Sequence, residues 1–545
     1  MPFNDNVYLG LYFSVIGVLS LLGLHRYLMV YLYYRHKQDV PVPVRTYADG
    51  ELPTVTLQLP VFNEMYVVER LLDAVCALDY PKHRLQIQVL DDSTDETVAT
   101  ARAKVAECRA RGFDIEHIHR QDRTGYKAGA LDAALSRATG ELIAILDADF
   151  VPDPDFLRST VHFFSDPKIA VVQARWGHLN RESSLLTELQ SIFLDGHLVL
   201  EQTARNRSGR FINFNGTGGL WRTSAIADAG GWHHDTLTED TDLSFRAQLK
   251  GWKCVFLKDV IVPAELPPDM LAFKSQQHRW TKGLVQVARK LLGTIWRSDA
   301  PFKCKLEATV HLGMGVSYPL MIVLVLLLSP VVQMRFDIGW FEMLFVDLPL
   351  FCAASVSIFL FYFVSQREAY ARVLPRVKYL PMLIALGVGM VVNNTRAFFE
   401  GLFGVTSEFV RTPKYNSVGK ASGEWRRKRY KAARNALVAL VEIGLGVYCT
   451  VPLAAAITSG RWMVIPFVSL FVFGFFYVGF YSMPWGALLR RRATADDPTL
   501  ELPPLLAKAM DDAEAGIFAY DSAPAYEGDL VPVGAGEPAM ADAAP

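Results

Sequence analysis

An open, mostly parallel α/β sheet of Rossmann-like type, inserted into an α-helical transmembrane region, is what this 545-residue sequence predicts. Three observations carry that reading. From about residue 53, short strand-like runs alternate with stretches of helical spacing. Several of these runs end in a polar or acidic motif. Long apolar stretches stand on both sides of this region.

In chain order, residues 8–34 are strongly apolar and run into Arg35, His36 and Lys37 with no small-residue cleavage site. That predicts an uncleaved transmembrane helix, so residues 1–37 form the first unit. Four more stretches, 308–333, 344–366, 435–458 and 462–487, are apolar enough to span. Residues 379–393 are apolar but short and are interrupted by Asn393, Asn394 and Arg396, which suits an interfacial or re-entrant helix. With five spans, the basic clusters at Arg35/Lys37, Arg367–Lys378, Arg426–Lys431 and Arg490–Arg492 all fall on the cytosolic side, together with the region between the first two spans. The expected organisation is a cytosolic domain over 38–268, an interfacial helix over 269–300, and a membrane region over 301–492. The last contains an interfacial helix at 379–400 and a loop at 401–433. An Ala-, Pro- and acid-rich tail, 493–545, reads as disordered.

Within the domain, residues 54–59, 85–90, 114–118 and 142–146 read as strands, and 64–78, 95–111 and 127–138 as helices. The continuous apolar run LIAIL predicts a strand covered on both faces. Ligands of an open α/β sheet bind beyond the carboxyl ends of its strands. Those ends here run into Phe62-Asn63-Glu64, Asp91-Asp92-Ser93 and Asp147-Ala148-Asp149. Three polar motifs at three such ends are far more specific than any one alone.

Each motif has a chemical use and a plainer alternative. Asp147 and Asp149 offer hard oxygens for a divalent cation beside phosphate; turn or capping aspartates are the alternative. Asp91 and Asp92 suit contact with a nucleoside, or the cap of the following helix. Glu64 reaches the same region, and Lys127 pairs with phosphate or is a solvated helix-start lysine. Thr238-Glu239-Asp240 opens a helical stretch; Asp240 is the candidate general base, with Glu239 beside it, and helix capping is the alternative. Gln276-Gln277-His278-Arg279-Trp280 lies in a helix of about 270–297. There Arg279 suits a diphosphate, Gln276 a nearby hydrogen bond and Trp280 a sugar ring, the alternative being an aromatic and basic membrane belt. The formal net charge of −1 gives no sign of a nucleic-acid partner, and the six cysteines form no CxxC pair.

Taken together, Asp91/Asp92, Asp147–Asp149, Thr238–Asp240 and Gln276–Trp280 resemble the pattern of the family 2 processive glycosyltransferases. QLPVFNE, VLDDSTDET, DRTGYKAGAL, VQARWGHLN, FNGTGG and QQHRW look like the cellulose synthase-like A mannan synthases and their bacterial relatives. The resemblance implies a GT-A fold, a Mg²⁺ or Mn²⁺ ion, and inversion at the anomeric carbon. It further implies donor contacts at Phe62, Glu64, Asp91, Asp92, Lys127, Asp147, Asp149, Gln276 and Arg279, metal at Asp149 and Asp147, and the acceptor sugar on Trp280. A cytosolic gating loop, F-x-V-T-x-K, is matched by Phe409, Thr412 and Lys414, with Arg411 in place of the Val.

The function expected is polymerisation of a β-linked hexose chain, mannan, glucomannan or glucan, from GDP-mannose or UDP-glucose. A polysaccharide acceptor and the lipid bilayer are expected partners, with a second copy or an export partner beside them. A bacterial inner membrane is the expected location. Glycosylation of a lipid such as ceramide is the alternative activity, and a non-enzymatic membrane scaffold the alternative class.

Overall fold

The computed structural model describes residues 3–334, 342, 345–346, 348–407, 411–416, 436–462 and 464–483. Phe409, most of the loop at 401–433, the basic clusters at 426–431 and 490–492 and the tail from 493 lie outside the described residues.

Chain entry is by α1 (Phe3–His36), followed by β1 (Val55–Val61), α2 (Val68–Cys76), β2 (Leu85–Asp91), α3 (Thr97–Ala110), β3 (Asp114–His119), α4 (Tyr126–Leu135) and β4 (Leu142–Ile145). The expected strands and helices are all present, within a few residues at their ends. Three more strands complete the sheet: β5 (Ile169–His178), β6 (Gly219–Arg222) and β7 (Lys253–Ala264). The strand order is β3-β2-β1-β4-β6-β5-β7, parallel except for β6, which runs antiparallel to both neighbours. Sequence order reverses at β1, between β2 and β4. That crevice is where such a sheet accepts ligands, and the motifs after β1, β2 and β4 all open there.

Both faces are covered, as LIAIL required. Leu57, Leu59, Val75 and Ile87 belong to one apolar layer; Leu131, Ile143, Ile145 and Trp221 belong to the other. The polar residues of VTLQL are satisfied sideways. Gln58 Nε2 donates to Gln88 Oε1 at 3.0 Å and Thr56 Oγ1 to Gln86 Oε1 at 2.8 Å, each between partners in register on β1 and β2. A buried amide without such a partner would carry a desolvation cost of about 1–3 kcal/mol.

Beyond the sheet lie α5 (Glu239–Leu249) and α6 (Met270–Arg297). Among the described residues, five helices are long and apolar enough to cross a membrane: Asn6–His36, Phe302–Val331, Leu348–Ala369, Ala436–Thr458 and Ile465–Ser482. The short apolar stretch at 379–393 is not one straight helix. It breaks between Leu380–Gly389 and α7 (Val391–Leu402), and the pair Leu374–Gly389 and Val391–Leu402 is bent by 46°. Counted as one broken span, that pair would be a sixth crossing. The last two spans are α8 (Ala436–Thr458) and α9 (Ile465–Ser482).

Candidate active site

One cavity at the switch point is lined by Phe62, Glu64, Asp92, Lys127, Asp147, Asp149, Glu239, Asp240, Gln276, Arg279, Trp280, Thr412 and Lys414. Residues from 62 to 414 thus meet around a single space.

The rim is built by strand ends tied to one another. After β1, Asn63 turns the chain at φ 52°, a left-handed conformation asparagine tolerates. Its amide donates to Ser93 Oγ at 2.7 Å, and its Oδ1 accepts from the Thr94 amide at 2.8 Å, so the turns after β1 and β2 hold each other. Phe62 lies under the Arg123 guanidinium, 3.4 Å from ring centre to Cζ. Asp92 accepts a forked pair of bonds from Arg120, Nε at 2.7 Å and Nη2 at 2.6 Å.

Asp91 is the exception among the described candidates. Its carboxylate is fully buried and does not line the cavity; it accepts from the Ser93 amide at 2.9 Å and lies 2.8 Å from His117 Nε2. The last residue of β2 alternates away from the crevice, and the next one faces it. Burial raises the Asp91 carboxyl, but the bonds from His117 and Ser93 outweigh it and hold the group below its usual range. The expected nucleoside contact at Asp91 does not fit this geometry; Asp91 braces the turn instead.

The two aspartates after β4 are each met by an ammonium. Lys127 Nζ, in the first turn of α4, lies 2.5 Å from Asp147 Oδ1 and 2.9 Å from the Gly216 carbonyl. Lys414 Nζ lies 2.6 Å from Asp149 Oδ2, which also accepts from the Glu265 amide at 3.1 Å. Arg411 pairs with Glu64 at 3.2 Å. Burial pushes the Glu64 carboxyl up to about 8, against the pull of Arg411. Segment 411–416 therefore closes one side of the cavity.

Asp240 opens from the first turn of α5, its Oδ1 accepting from the Thr241 amide at 2.7 Å. The FNGTGG loop passes close by. Gly216 sits at φ 80°, which favours glycine, and a Cβ there would stand 3.0 Å from Asp240 Oδ2, so the carboxylate would have to give way. Burial pushes the Asp240 carboxyl up, the neighbouring Glu239 adds to it, and the group reaches about 7. A base must be ionised to accept a proton. Activity resting on Asp240 is therefore expected to rise about tenfold per pH unit below that value and to level off above it. A flat kcat/KM profile between pH 5 and 8 would assign the proton to another group.

Arg279 and Trp280 come from α6, with Gln276 one turn earlier, and Arg279 Nη2 reaches Thr412 Oγ1 at 3.5 Å. The sequence reading missed Arg120 and Arg123, whose partners lie across turns, and Trp176 and His178, which also line the cavity. VQARWGHLN was visible as a motif, but nothing in its spacing said which face of β5 it serves.

Residues 53–283 match the family described as "Glycosyltransferase like family 2". A glucomannan 4-beta-mannosyltransferase 1 from Oryza sativa subsp. japonica is 45% identical over 251 residues, 45% of this chain and 48% of that protein. A glucomannan 4-beta-mannosyltransferase 2 from Arabidopsis thaliana is 44% identical over 256 residues, 46% and 48% respectively. The chain spans about half the length of the curated relatives it matches. Both are plant proteins and lend no support to a bacterial inner membrane. Among solved structures, the mannosyltransferase PcManGT from Pyrobaculum calidifontis, in complex with GDP-Man and Mn2+, superposes with a TM-score of 0.50 at 20% identity. That match covers 72% of this chain and 100% of that one; it speaks for the fold alone. With the mostly parallel sheet and the motifs at its switch point, these findings make residues 53–283 a glycosyltransferase family 2 domain of GT-A fold.

Proposed function

We propose that the chain is a membrane-embedded inverting glycosyltransferase that extends a β-linked mannan or glucomannan from a nucleotide sugar. The observation that carries this is the convergence of Asp92, Asp147, Asp149, Asp240, Arg279 and Trp280 on one cavity. The similarity to plant glucomannan 4-beta-mannosyltransferases favours mannose as the sugar. The nucleotide sugar enters at the switch point, with its nucleoside between Phe62 and Asp92 and its diphosphate toward Arg279 and Lys127. Asp240 accepts the proton of the acceptor hydroxyl as that oxygen attacks the anomeric carbon from the face opposite the diphosphate. One displacement converts an α-linked donor to a β-linkage. Trp280 gives the acceptor ring a flat apolar surface.

Asp147 and Asp149 are hard oxygen donors at adjoining points of one wall, and both already attract a cationic side chain, so the pair fits a Mg²⁺ or Mn²⁺ ion. Such an ion, when bound, offsets the charge that builds on the departing diphosphate. The domain then faces the cytosol, the source of nucleotide sugars, in keeping with the basic residues that follow the first span. The bent pair at 374–402 lies on that same side without crossing.

The test is incubation of the purified full chain with labelled GDP-mannose and UDP-glucose, each with Mg²⁺ or Mn²⁺, followed by linkage-specific glycosidases. The expected product is a long chain cut by β-mannanase. A single sugar on a lipid would replace the polymer reading, and no transfer from any donor would end the enzyme reading.

A further inference from the structure

Helix α6 has two working faces. Gln276, Arg279 and Trp280 face the cavity, and two further contacts on α6 hold the loop that presents Asp240. Gly283 lets the Thr238 side chain come so close that a Cβ would stand 2.5 Å from it, and Gln286 Oε1 accepts from the Leu237 amide at 2.9 Å. The other face carries Lys274, His278 and Lys282, four residues apart, so they form one stripe. Each member of that stripe is paired with a residue from a neighbouring segment. Lys274 Nζ donates to both oxygens of Glu442 at 2.8 Å and to Ser482 Oγ at 3.2 Å. Asn393 Nδ2 donates to the Lys274 carbonyl at 3.0 Å. Lys282 Nζ reaches Glu400 at 3.1 Å and Ser407 at 2.7 Å, and His278 Nε2 lies 3.2 Å from Glu400.

Glu442 is completely buried in the span α8, and the Lys274 side chain is 7% exposed. A carboxylate inside an apolar span is costly, and such residues mark function far more often than stability. Apolar packing would hold the helices together equally well but would tolerate sliding and rotation; a forked, directional ion pair defines one register.

We propose that Lys274 and Glu442, with Ser482, are positioning residues: they pin the register of α6 against α8 and α9, and so set Arg279, Trp280 and the Thr238–Asp240 loop over the reacting centre. None of the three touches the substrate. A shift of α6 by a fraction of a turn would move a phosphate contact, a sugar platform and the base loop together, and misplacement by about 1 Å is enough to cost on the order of a hundredfold in rate.

This inference rests on the glycosyltransferase reading. Its test uses the full chain in lipid nanodiscs. The Lys274→Met/Glu442→Leu double variant removes both charges without orphaning either. It is expected to melt within a few degrees of the parent and to lose at least tenfold in kcat, with donor KM rising by less than that factor. The exchanged pair Lys274→Glu/Glu442→Lys is expected to recover at least a third of the parental kcat. A stably folded double variant with kcat within twofold of the parent would overturn the pin and leave the enzyme reading standing. Should the double variant not insert, Glu442→Asp, which keeps the charge but shortens the reach, gives the same decision: a loss of threefold or more in kcat at unchanged melting is expected, and parental kcat overturns the proposal. A parent chain that turns over no nucleotide sugar would end both readings together.

Discussion

Asp240→Asn is expected to lower kcat on the order of a thousandfold while leaving folding and donor affinity close to those of the parent. The substitution keeps size and shape and removes only the basicity. Asp240 Oδ1 accepts one bond, from the Thr241 amide, which the asparagine carbonyl oxygen retains, so the first turn of α5 is undisturbed. What disappears is a carboxylate whose affinity for protons has been raised to about 7 by burial and by Glu239. A base poised there is half ionised at neutral pH and strong enough to take a proton from a hydroxyl as its bond to carbon forms. Burst-free single-turnover rates, with binding of the nucleoside diphosphate as a control, separate this from a folding defect. Turnover within tenfold of the parent would transfer the role of base to Glu239 or to a water.

Asp149→Ala is expected to have the second large effect, a fall of about 10²–10³ in kcat/KM at saturating Mn²⁺, which corresponds to roughly 3–4 kcal/mol of lost leaving-group stabilisation. Two losses add. One oxygen donor for the cation disappears, and Lys414, whose ammonium lies 2.6 Å from Asp149, is left without that carboxylate in a largely buried position. Residue 149 also receives the Glu265 amide, so some loosening of β7 accompanies the change. The measurement is the Mn²⁺ concentration needed for half-maximal rate. An unchanged value with an unchanged rate would exclude Asp149 from the cation site.

Much of the sheet was readable because its grammar is local. LIAIL, TVTLQL and LQIQVL are short apolar or alternating runs between turn residues, and each became a strand. β6 was not readable. GLWR is four residues long and is held by antiparallel pairing to β4 and β5, whose nearest register partners are 74 residues away (Ile145 with Gly219) and 46 residues away (Gln173 with Gly219). Nothing local announces that. The site followed the same division. Asp147, Asp149, Asp240, Arg279 and Trp280 sit in motifs with recognisable order, whereas Arg120 is known only from the fork it makes with Asp92 across two turns. Asp91 shows the limit from the other side. Two adjacent aspartates look equivalent in a string, and only strand alternation decides that one faces the crevice and the other His117.

The contact between Lys414 and Asp149 joins positions 265 residues apart, and everything between them includes two membrane-spanning-length helices. A water-soluble fragment cut at residue 283, where the recognisable domain stops, would therefore keep the strands yet lose one wall of its own reaction chamber. Such a truncation is expected to bind nucleotide weakly at best and to make no polymer. On the proposed function, the bilayer part belongs to the catalyst in the same sense as the sheet does, because the segment beyond its first helices lends Arg411, Thr412 and Lys414 to the chamber.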